Sequence, residues 1–220
     1  MIKIYNPTKR PIDKDIIKTI NIYKKDLNLV ISHGGDGSLL GAEREFPGIP
    51  KLAIRSSNIC TKCYRQDDLQ NILESIKLRH ITPRQYIKLE AFFNNKKLIA
   101  LNEINIKCSH PNLALRFSYT VDGQSFNNII ADGIIVSTPF GSSGYFKSIT
   151  RTVFYQGIGV TVINPTEHLL NQIISEDEII NITIDRENAN ICSDNNPKIY
   201  ALKPGHKIII KKSSKSAFIY

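Results

Sequence analysis

The sequence has no tryptophan, a single methionine and only four cysteines among its 220 residues. Four cysteines are too few for the disulfide framework of a small secreted domain. No apolar run approaches the roughly 20 residues of a membrane-spanning helix, and the first residues contain no apolar signal core. These absences predict a cytoplasmic protein of one or two domains.

Acidic residues are also scarce, because 20 Asp and Glu stand against 29 Lys and Arg and leave a formal net charge of +9. A basic surface concentrates phosphate-bearing ligands, although lysines spread along the chain for solubility give the same net charge. The basic residues form no motif interleaved with aromatic residues and no recognition helix. We therefore expect neither nucleic acid nor a membrane as a partner.

The cysteines and histidines show no metal-ligand spacing. Cys60 and Cys63 form the only close cysteine pair, and a structural zinc site needs a second pair at a comparable spacing. We interpret both residues as ordinary reduced thiols and assign no metal ligand among the site residues.

Short apolar runs alternate with helical patterns over the first 80 residues. Their spacing predicts strands at residues 2–5, 29–32 and 51–54, and helices at 13–25, 38–45 and 67–77. From about residue 81 strand-length runs follow one another, with hairpin turns at Asn94-Asn95 and Asp122-Gly123. The predicted strands there cover residues 86–93, 98–107, 113–121, 134–137, 159–163, 178–184, 198–202 and 207–211.

This order of elements predicts an α/β plus β fold. Residues 1–80 are expected to form an N-terminal α/β domain with a parallel sheet, and residues 81–220 a C-terminal β-rich domain. The last segment, about 205–220, is expected to pack back on the first domain. We expect the active site in the cleft between the two domains.

A glycine-rich turn, Gly34-Gly35-Asp36-Gly37, follows the second predicted strand and precedes a helix. Glycines let the backbone approach a phosphate, and the N–H groups at a helix start bind anions. Asp36 can bind Mg²⁺ or accept a hydroxyl proton, although a plain tight turn with Asp36 as helix cap explains the tetrapeptide equally well. The turn matches neither the P-loop nor the dinucleotide-binding motif.

Two further polar motifs interrupt the β-rich part. Asn102-Glu103 lies within a predicted strand, and Asp132-Gly133 is followed by Thr-Pro-Phe-Gly-Ser-Ser-Gly-Tyr at residues 138–145. Taken singly, the first is typical of a turn or a solvent-facing edge and the second of a loop. The order and spacing of all three motifs resemble the NAD kinase family, from about Leu29 to the closing segment at 215–219.

The resemblance implies a set of site residues. Asp36 is expected beside the donor phosphates and the reacting hydroxyl, as the catalytic base, in a loop shaped by Gly34, Gly35 and Gly37. The residues expected to bind NAD are Asn102, Glu103, Asp132, Thr138, Ser142, Ser143, Gly144, Tyr145 and Ser148. It also implies a sandwich-like second domain that binds NAD and a first domain that binds the phosphate donor.

Three positions depart from the pattern of the family. Arg55 opens a segment that usually contains glycines, Phe140 stands where Thr or Ser is usual, and Arg151 lies where paired glycines are usual. Arg151, His33 and Lys147 are candidates for phosphate contacts, and incidental surface residues are the alternative.

The resemblance implies transfer of a phosphoryl group from ATP or polyphosphate to the 2′-hydroxyl of the adenosine ribose of NAD, giving NADP. Mg²⁺ is the expected cofactor and ATP the expected donor. A homodimer or homotetramer is expected, in which a neighbouring subunit completes the substrate site. Two alternatives stay open: an NAD- or NADP-binding regulator without catalysis, and a lipid or sugar kinase with the same glycine turn.

Overall fold

The computed structural model describes residues 1–56, 60 and 62–220. It divides into two compact units, of which the first contains Met1–Tyr86 and Ser216–Tyr220 and the second contains Ile87–Lys215. Strands are numbered β1–β17 and helices α1–α4 in chain order, and α4, in the second unit, is Lys147–Thr150. The division into domains of residues 1–80 and 81–220 stays a prediction.

The first unit is organised around one five-stranded sheet. Its strands are β1 (Ile2–Tyr5), β2 (Leu29–Gly34), β3 (Lys51–Arg55), β4 (Arg84–Tyr86) and β17 (Ala217–Ile219). They lie in the order β1-β2-β3-β17-β4, and all neighbours are parallel except β17 and β4. The parallel sheet predicted for the N-terminal part is confirmed, and the last strand completes it from the other end of the sequence.

Helices cover this sheet. They are α1 (Lys14–Tyr23), α2 (Asp36–Glu45) and α3 (Leu69–Lys77). Apolar residues of α1 and α3, such as Ile20 and Leu73, share one buried cluster with Leu29 and Ile31 of β2, as expected for helices with one apolar face. The helix predicted at 38–45 begins two residues earlier, at Asp36. Within the described residues, no helix combines the length and the apolar character that crossing a membrane requires.

A buried ion pair joins α2 to β3. The side chain of Lys51, the first residue of β3, is fully buried and pairs with Glu43 of α2, whose side chain is 3% exposed. The Lys51 ammonium also donates a hydrogen bond to the carbonyl of Phe46, the residue that follows α2. A buried charge without its partner is costly, so this pair fixes the helix that begins with Asp36 against the sheet.

Two antiparallel six-stranded sheets form the second unit. One contains β7 (Glu103–Cys108), β10 (Gly133–Ser137), β11 (Ile158–Ile163), β12 (Gln172–Ile174), β14 (Ala189–Ser193) and β15 (Tyr200–Leu202), in the order β12-β11-β10-β7-β14-β15. The other contains β5 (Leu89–Phe93), β6 (Lys96–Ala100), β8 (Leu115–Val121), β9 (Gln124–Ala131), β13 (Ile180–Arg186) and β16 (Lys207–Lys212), in the order β6-β5-β16-β13-β8-β9. Both sheets contribute to one apolar core, for example through Ile104 and Phe117. The β-rich, sandwich-like fold is confirmed.

Two runs that were each predicted as one continuous strand are interrupted in the structure. The run at 86–93 splits into β4 and β5, which belong to different units. The run at 98–107 splits into β6 and β7, with Leu101 and Asn102 in a bend between them. The predicted hairpin turn at Asn94-Asn95 is confirmed, because both residues have the positive φ of a type I′ turn, 46° and 57°.

Candidate functional site

The glycine turn lies at the carboxyl end of β2, where the strand passes directly into α2. Gly34 has a φ of 155°, and a Cβ atom there would overlap the Ser38 hydroxyl. Gly35 is the N-cap of α2 and has open space at its Cβ position, and Asp36 and Gly37 are exposed in the first helical turn. Because the turn has almost no side-chain bulk, the N-terminus of α2 is accessible to an anion.

His33 lies buried directly before the glycines. Its side chain is 2% exposed, and burial, together with the nearby charge of Arg10, lowers its pKa below the usual value. Its Nε2 atom lies 3.3 Å from Nε2 of Gln66, while its Nδ1 atom has no hydrogen-bond partner within the described part of the chain. These features favour a neutral imidazole that packs behind the turn.

Two arginines lie near the turn in the first unit. Arg55 ends β3 and is paired in register with Gly34. Arg10 donates a hydrogen bond of 3.0 Å to the hydroxyl of Ser56, and the Ser56 N–H in turn donates to the Gly34 carbonyl. Positive charge is therefore present next to the helix terminus, although this segment has no glycines.

A disulfide lies against Asp36. Cys60 and Cys63 are bonded to each other, with their Cα atoms 5.6 Å apart, so the interpretation of two ordinary thiols is wrong. The Cys60 Sγ atom lies 3.1 Å from Oδ1 of Asp36. The contact follows from the topology, because neighbouring parallel strands end at the same edge of a sheet. That rule, applied to Asp36 after β2 and the cysteines after β3, is the signal that sequence reasoning missed.

In the second unit, Asn102 lies in a tight turn between β6 and β7 that Asp194 holds together. The Asp194 carboxylate accepts hydrogen bonds from the N–H groups of Leu101, Asn102 and Glu103, at 2.9, 2.7 and 3.2 Å. Asp194 was not among the predicted site residues. Its sequence position, directly after β14, gives no local signal, because its partners lie more than 90 residues earlier.

The Asn102 side chain carries an unpaired acceptor. Its Oδ1 atom is buried and has no hydrogen-bond partner among the residues that the structure describes. A buried acceptor without a donor costs free energy, and native structures keep few of them. This oxygen therefore marks a position where a ligand with an N–H or O–H group gains a hydrogen bond.

The Thr138 hydroxyl bonds the backbone of this turn, and the Ser142 hydroxyl bonds the backbone of the loop after β10. The buried Thr138 hydroxyl donates to the Leu101 carbonyl at 2.6 Å and accepts from the Gly141 N–H at 3.1 Å. The buried Ser142 hydroxyl lies 2.9 Å from the Phe154 carbonyl oxygen. Both hydroxyls form hydrogen bonds within the protein, and the binding of NAD by these two residues stays a prediction.

Gly141 packs directly on the Asn102 turn. A Cβ atom at Gly141 would overlap the Asn102 backbone, whereas one at Gly144 would lie 3.8 Å from the Asn102 Nδ2 atom. Ser143 and Gly144 are exposed. The loop after β10 therefore places an open stretch of backbone beside the unpaired Asn102 oxygen.

Tyr145 extends the site along the sheet. The Lys107 ammonium lies 4.4 Å from the centroid of the Tyr145 ring, and the Ser148 hydroxyl donates to the Tyr145 carbonyl at 2.7 Å. Side chains alternate between the two faces of β7. Glu103, Asn105 and Lys107 therefore lie on the face opposite the core residues Ile104 and Ile106. This polar face carries the candidate site of the second unit.

Asp132 lies apart from the Asn102 turn. In the register of β7 and β10, Glu103 pairs with Ser137 while Lys107 pairs with Gly133. At a rise of about 3.3 Å per residue, Asp132 is roughly 20 Å from Thr138. Asp132 is exposed and accepts a hydrogen bond of 2.8 Å from the Asn164 side chain. The structure thus gathers Asn102, Glu103, Thr138, Ser142 and Gly144, and leaves Asp132 at the other end of the strand.

Comparison with known proteins extends this picture. The family model of the ATP-NAD kinase C-terminal domain matches residues 101–220. A bifunctional NADP phosphatase/NAD kinase of Methanococcus maripaludis is 29% identical over 97% of this chain and 40% of its own length. An NAD kinase of Saccharolobus islandicus is 28% identical over 70% of this chain and 61% of its own length, so the chain spans 40% and 61% of these two relatives.

A solved structure shows the same fold. The crystal structure of an NAD kinase from Archaeoglobus fulgidus, in complex with ATP, superposes with a TM-score of 0.80 at 18% identity, and covers 100% of this chain and 92% of that one. The family model covers more than half of the sequence and includes the Asn102 turn and the loop after β10. The chain belongs to the NAD kinase family.

Proposed function

We propose that this chain phosphorylates the 2′-hydroxyl of the adenosine ribose of NAD with ATP and releases NADP. The observation that carries the proposal is the buried Asn102 Oδ1 atom, which has no partner among the described residues and lies within the region that matches NAD kinases. The nicotinamide carboxamide and the ribose hydroxyls both have donors for this oxygen. Glu103 and Tyr145 belong to the same NAD site in this proposal, with Tyr145 as the face on which a base stacks.

The phosphate donor is assigned to the first unit. Gly34, Gly35 and Gly37 leave the N-terminus of α2 accessible, and a helix N-terminus binds phosphate through its N–H groups and its dipole. A relative of the same fold was solved in complex with ATP, which supports ATP as the donor over polyphosphate. Arg10 and Arg55 supply positive charge beside this turn.

Mg²⁺ fits the residues present. Asp36 has an exposed carboxylate, and Mg²⁺ is commonly bound by one or two carboxylates together with the phosphate oxygens of a nucleotide. The neighbouring cysteine sulfurs are soft ligands that Mg²⁺ does not prefer. Bound with ATP, Mg²⁺ would neutralise charge on the phosphates.

Asp36 is the proposed catalytic base. Phosphoryl transfer requires the acceptor hydroxyl in line with the γ-phosphate and a group that takes the hydroxyl proton. A carboxylate in the first turn of α2 lies next to the proposed phosphate site. In this mechanism Asp36 accepts the proton of the 2′-hydroxyl while the glycine turn holds the donor.

Asp132 is assigned to the NAD site of a second copy in a homodimer or homotetramer. The support is its position, at the opposite end of β10 from the Asn102 turn. Co-purified oligomers of Asn102→Ala and Asp132→Ala chains are expected to regain part of the activity that each variant alone loses. Mixed oligomers without activity would contradict a shared site. The cytoplasmic location also remains a prediction of the sequence.

The decisive experiment measures NADP formation from NAD⁺ and Mg·ATP with an NADP-specific dehydrogenase. Asp36→Asn is expected to lose a factor of about 10²–10⁴ in kcat, the usual contribution of a general base. Asp67→Asn, which changes an exposed carboxylate of the same unit, is the matched control. NAD⁺ binding without turnover from ATP or polyphosphate would identify a regulator instead, and turnover of a lipid or sugar a related kinase.

A further inference from the structure

The disulfide beside Asp36 has no part in the phosphoryl transfer described above. Cys60 is 6% exposed and Cys63 is half-buried, while Asp36 is exposed. The two sulfurs and a carboxylate oxygen of Asp36 lie within 4.8 Å of one another. A disulfide therefore touches the residue proposed as catalytic base.

The cysteine pair is expected to stabilise the fold less than a pair that closes a long loop. The two residues are three positions apart, and closing so short a loop removes little entropy from the unfolded chain. In the cytoplasm expected for this chain, disulfides are usually transient and catalytic or redox-sensing. The C-x-x-C spacing beside a βαβ unit is typical of pairs that exchange between dithiol and disulfide.

We propose that Cys60 and Cys63 form a reversible redox pair that controls Asp36, an inference that rests on the proposed kinase function. In the disulfide form the Cys60 sulfur has no proton, so its 3.1 Å contact with Asp36 Oδ1 involves no hydrogen bond. In the dithiol form the Cys60 thiol donates to that oxygen. This hydrogen bond competes with the substrate hydroxyl for the carboxylate, so the disulfide form is the more active one.

The exchange uses small-molecule thiols and disulfides as its co-reactants. A reductant thiolate attacks the more exposed Cys63 sulfur, the bond between Cys60 and Cys63 breaks, and Cys60 leaves as a thiolate that takes up a proton. A second reductant thiol resolves the mixed disulfide and releases Cys63 as a thiol. Two reductant thiols thereby become one disulfide, and two electrons and two protons pass to the protein. The reverse reaction consumes one small-molecule disulfide.

The first test requires no kinase activity. The protein is equilibrated at fixed ratios of reduced to oxidised dithiothreitol and alkylated, and its labelled cysteines are mapped by mass spectrometry. Because Asp36 stabilises the dithiol form as a charged acceptor, Asp36→Asn is expected to shift the equilibrium about tenfold towards the disulfide, which is about 30 mV. Asp67→Asn is expected to titrate like the wild type, and the free Cys108 and Cys192 serve as internal labelling references.

The second test measures NADP formation by oxidised and reduced protein. Reduction is expected to lower kcat about tenfold, the effect of one charge-assisted hydrogen bond. Cys63→Ser keeps the Cys60 thiol, so this variant is expected to form NADP as slowly as the reduced wild type in both oxidising and reducing buffer. Cys60→Ala removes the thiol that donates to Asp36, so this variant is expected to form NADP as fast as the oxidised wild type in both buffers.

Three results would overturn the redox pair. One is that Cys60 and Cys63 stay reduced at every ratio of reduced to oxidised dithiothreitol. Another is that Asp36→Asn leaves the thiol–disulfide equilibrium unchanged. The third is a reduced protein that binds one equivalent of Zn²⁺, seen with Co²⁺ as thiolate charge-transfer absorption, and no longer forms the disulfide. If Asp36→Asn shifts the equilibrium in a protein that makes no NADP, the coupling to Asp36 stands and only the kinase function is rejected.

Discussion

The two units build their candidate sites from parts of the chain at very different sequence distances. In the first unit, the proposed anion site is formed by consecutive residues, from Gly34 to the first turn of α2. In the second unit, the Asn102 turn depends on Asp194, 92 residues away, and on Thr138, whose contact with Leu101 spans 37 residues. A site formed by consecutive residues is expected to keep its shape when residues far away in the sequence are substituted. A site assembled from remote segments depends on the packing of each segment.

The units also differ in what fixes the site to the core. The helix that begins with Asp36 is tied to its sheet by the buried pair of Lys51 and Glu43. The Asn102 turn is held by hydrogen bonds to backbone groups and by close packing of Gly141. A buried ion pair therefore fixes the site of the first unit, whereas one carboxylate acts together with neutral hydrogen bonds and close packing in the second. Four substitutions test this contrast.

The largest effect is expected from Lys51→Met, because it removes the Lys51 ammonium from the buried Glu43 carboxylate. Removing one member of a buried pair costs about 3–5 kcal/mol of unfolding free energy. Adding Glu43→Leu to that variant is expected to restore most of the loss, since an apolar pair needs no compensation. Urea unfolding measures both, with the exposed pair of Lys18 and Asp15 as control through Lys18→Met. If Lys51→Met lowered the unfolding free energy by less than about 1 kcal/mol, the buried pair would not be what fixes α2 to the sheet.

Gly141→Ala tests how closely the second site depends on packing. The new Cβ atom would overlap the Asn102 backbone and displace the turn. A displacement of about 1 Å is expected to reduce kcat/KM for NAD by roughly a hundredfold. Gly144→Ala makes only an ordinary contact with the Asn102 side chain and is the matched control. Equal rates for the two variants would mean that the position of the turn does not matter.

Asp194→Asn removes the charge that binds three backbone N–H groups around Asn102. An amide oxygen is a weaker acceptor, so we expect a loss of about 2 kcal/mol in unfolding free energy and a higher KM for NAD. Asp177→Asn, which changes a largely exposed carboxylate, is expected to change neither quantity. An unchanged KM in the Asp194 variant would show that the turn holds its shape without this residue.

The smallest effect is a pH dependence in the first unit. Burial lowers the pKa of His33 in the folded protein, whereas the unfolded residue takes up a proton near pH 6.5. The stability that His33 contributes is therefore present above that pH and is lost as the pH falls below it. His33→Gln is expected to weaken the decline in unfolding free energy between pH 7 and pH 5. Parallel declines in both proteins would contradict the assignment.

The same contrast explains how much could be predicted from sequence. Regular apolar spacing gave the helices of the first unit, and two asparagines in succession were enough for the turn after β5. The strand β9 was missed because most of its residues are exposed or half-buried and its apolar residues do not alternate. The contact of Cys60 with Asp36 and the role of Asp194 depend on strand order and register, which no local pattern contains.

The placement of β17 between β3 and β4 affects the order in which the chain can fold during synthesis. The first unit needs residues 217–219 to complete its sheet. At about 5–20 residues per second, roughly 7 to 27 seconds pass between the synthesis of Tyr86 and that of Ile219. During that time one edge of β3 lacks its native neighbour on the emerging chain, and an open strand edge is a template for wrong pairing. The nascent first unit is therefore expected to be a substrate for chaperones until translation reaches β17.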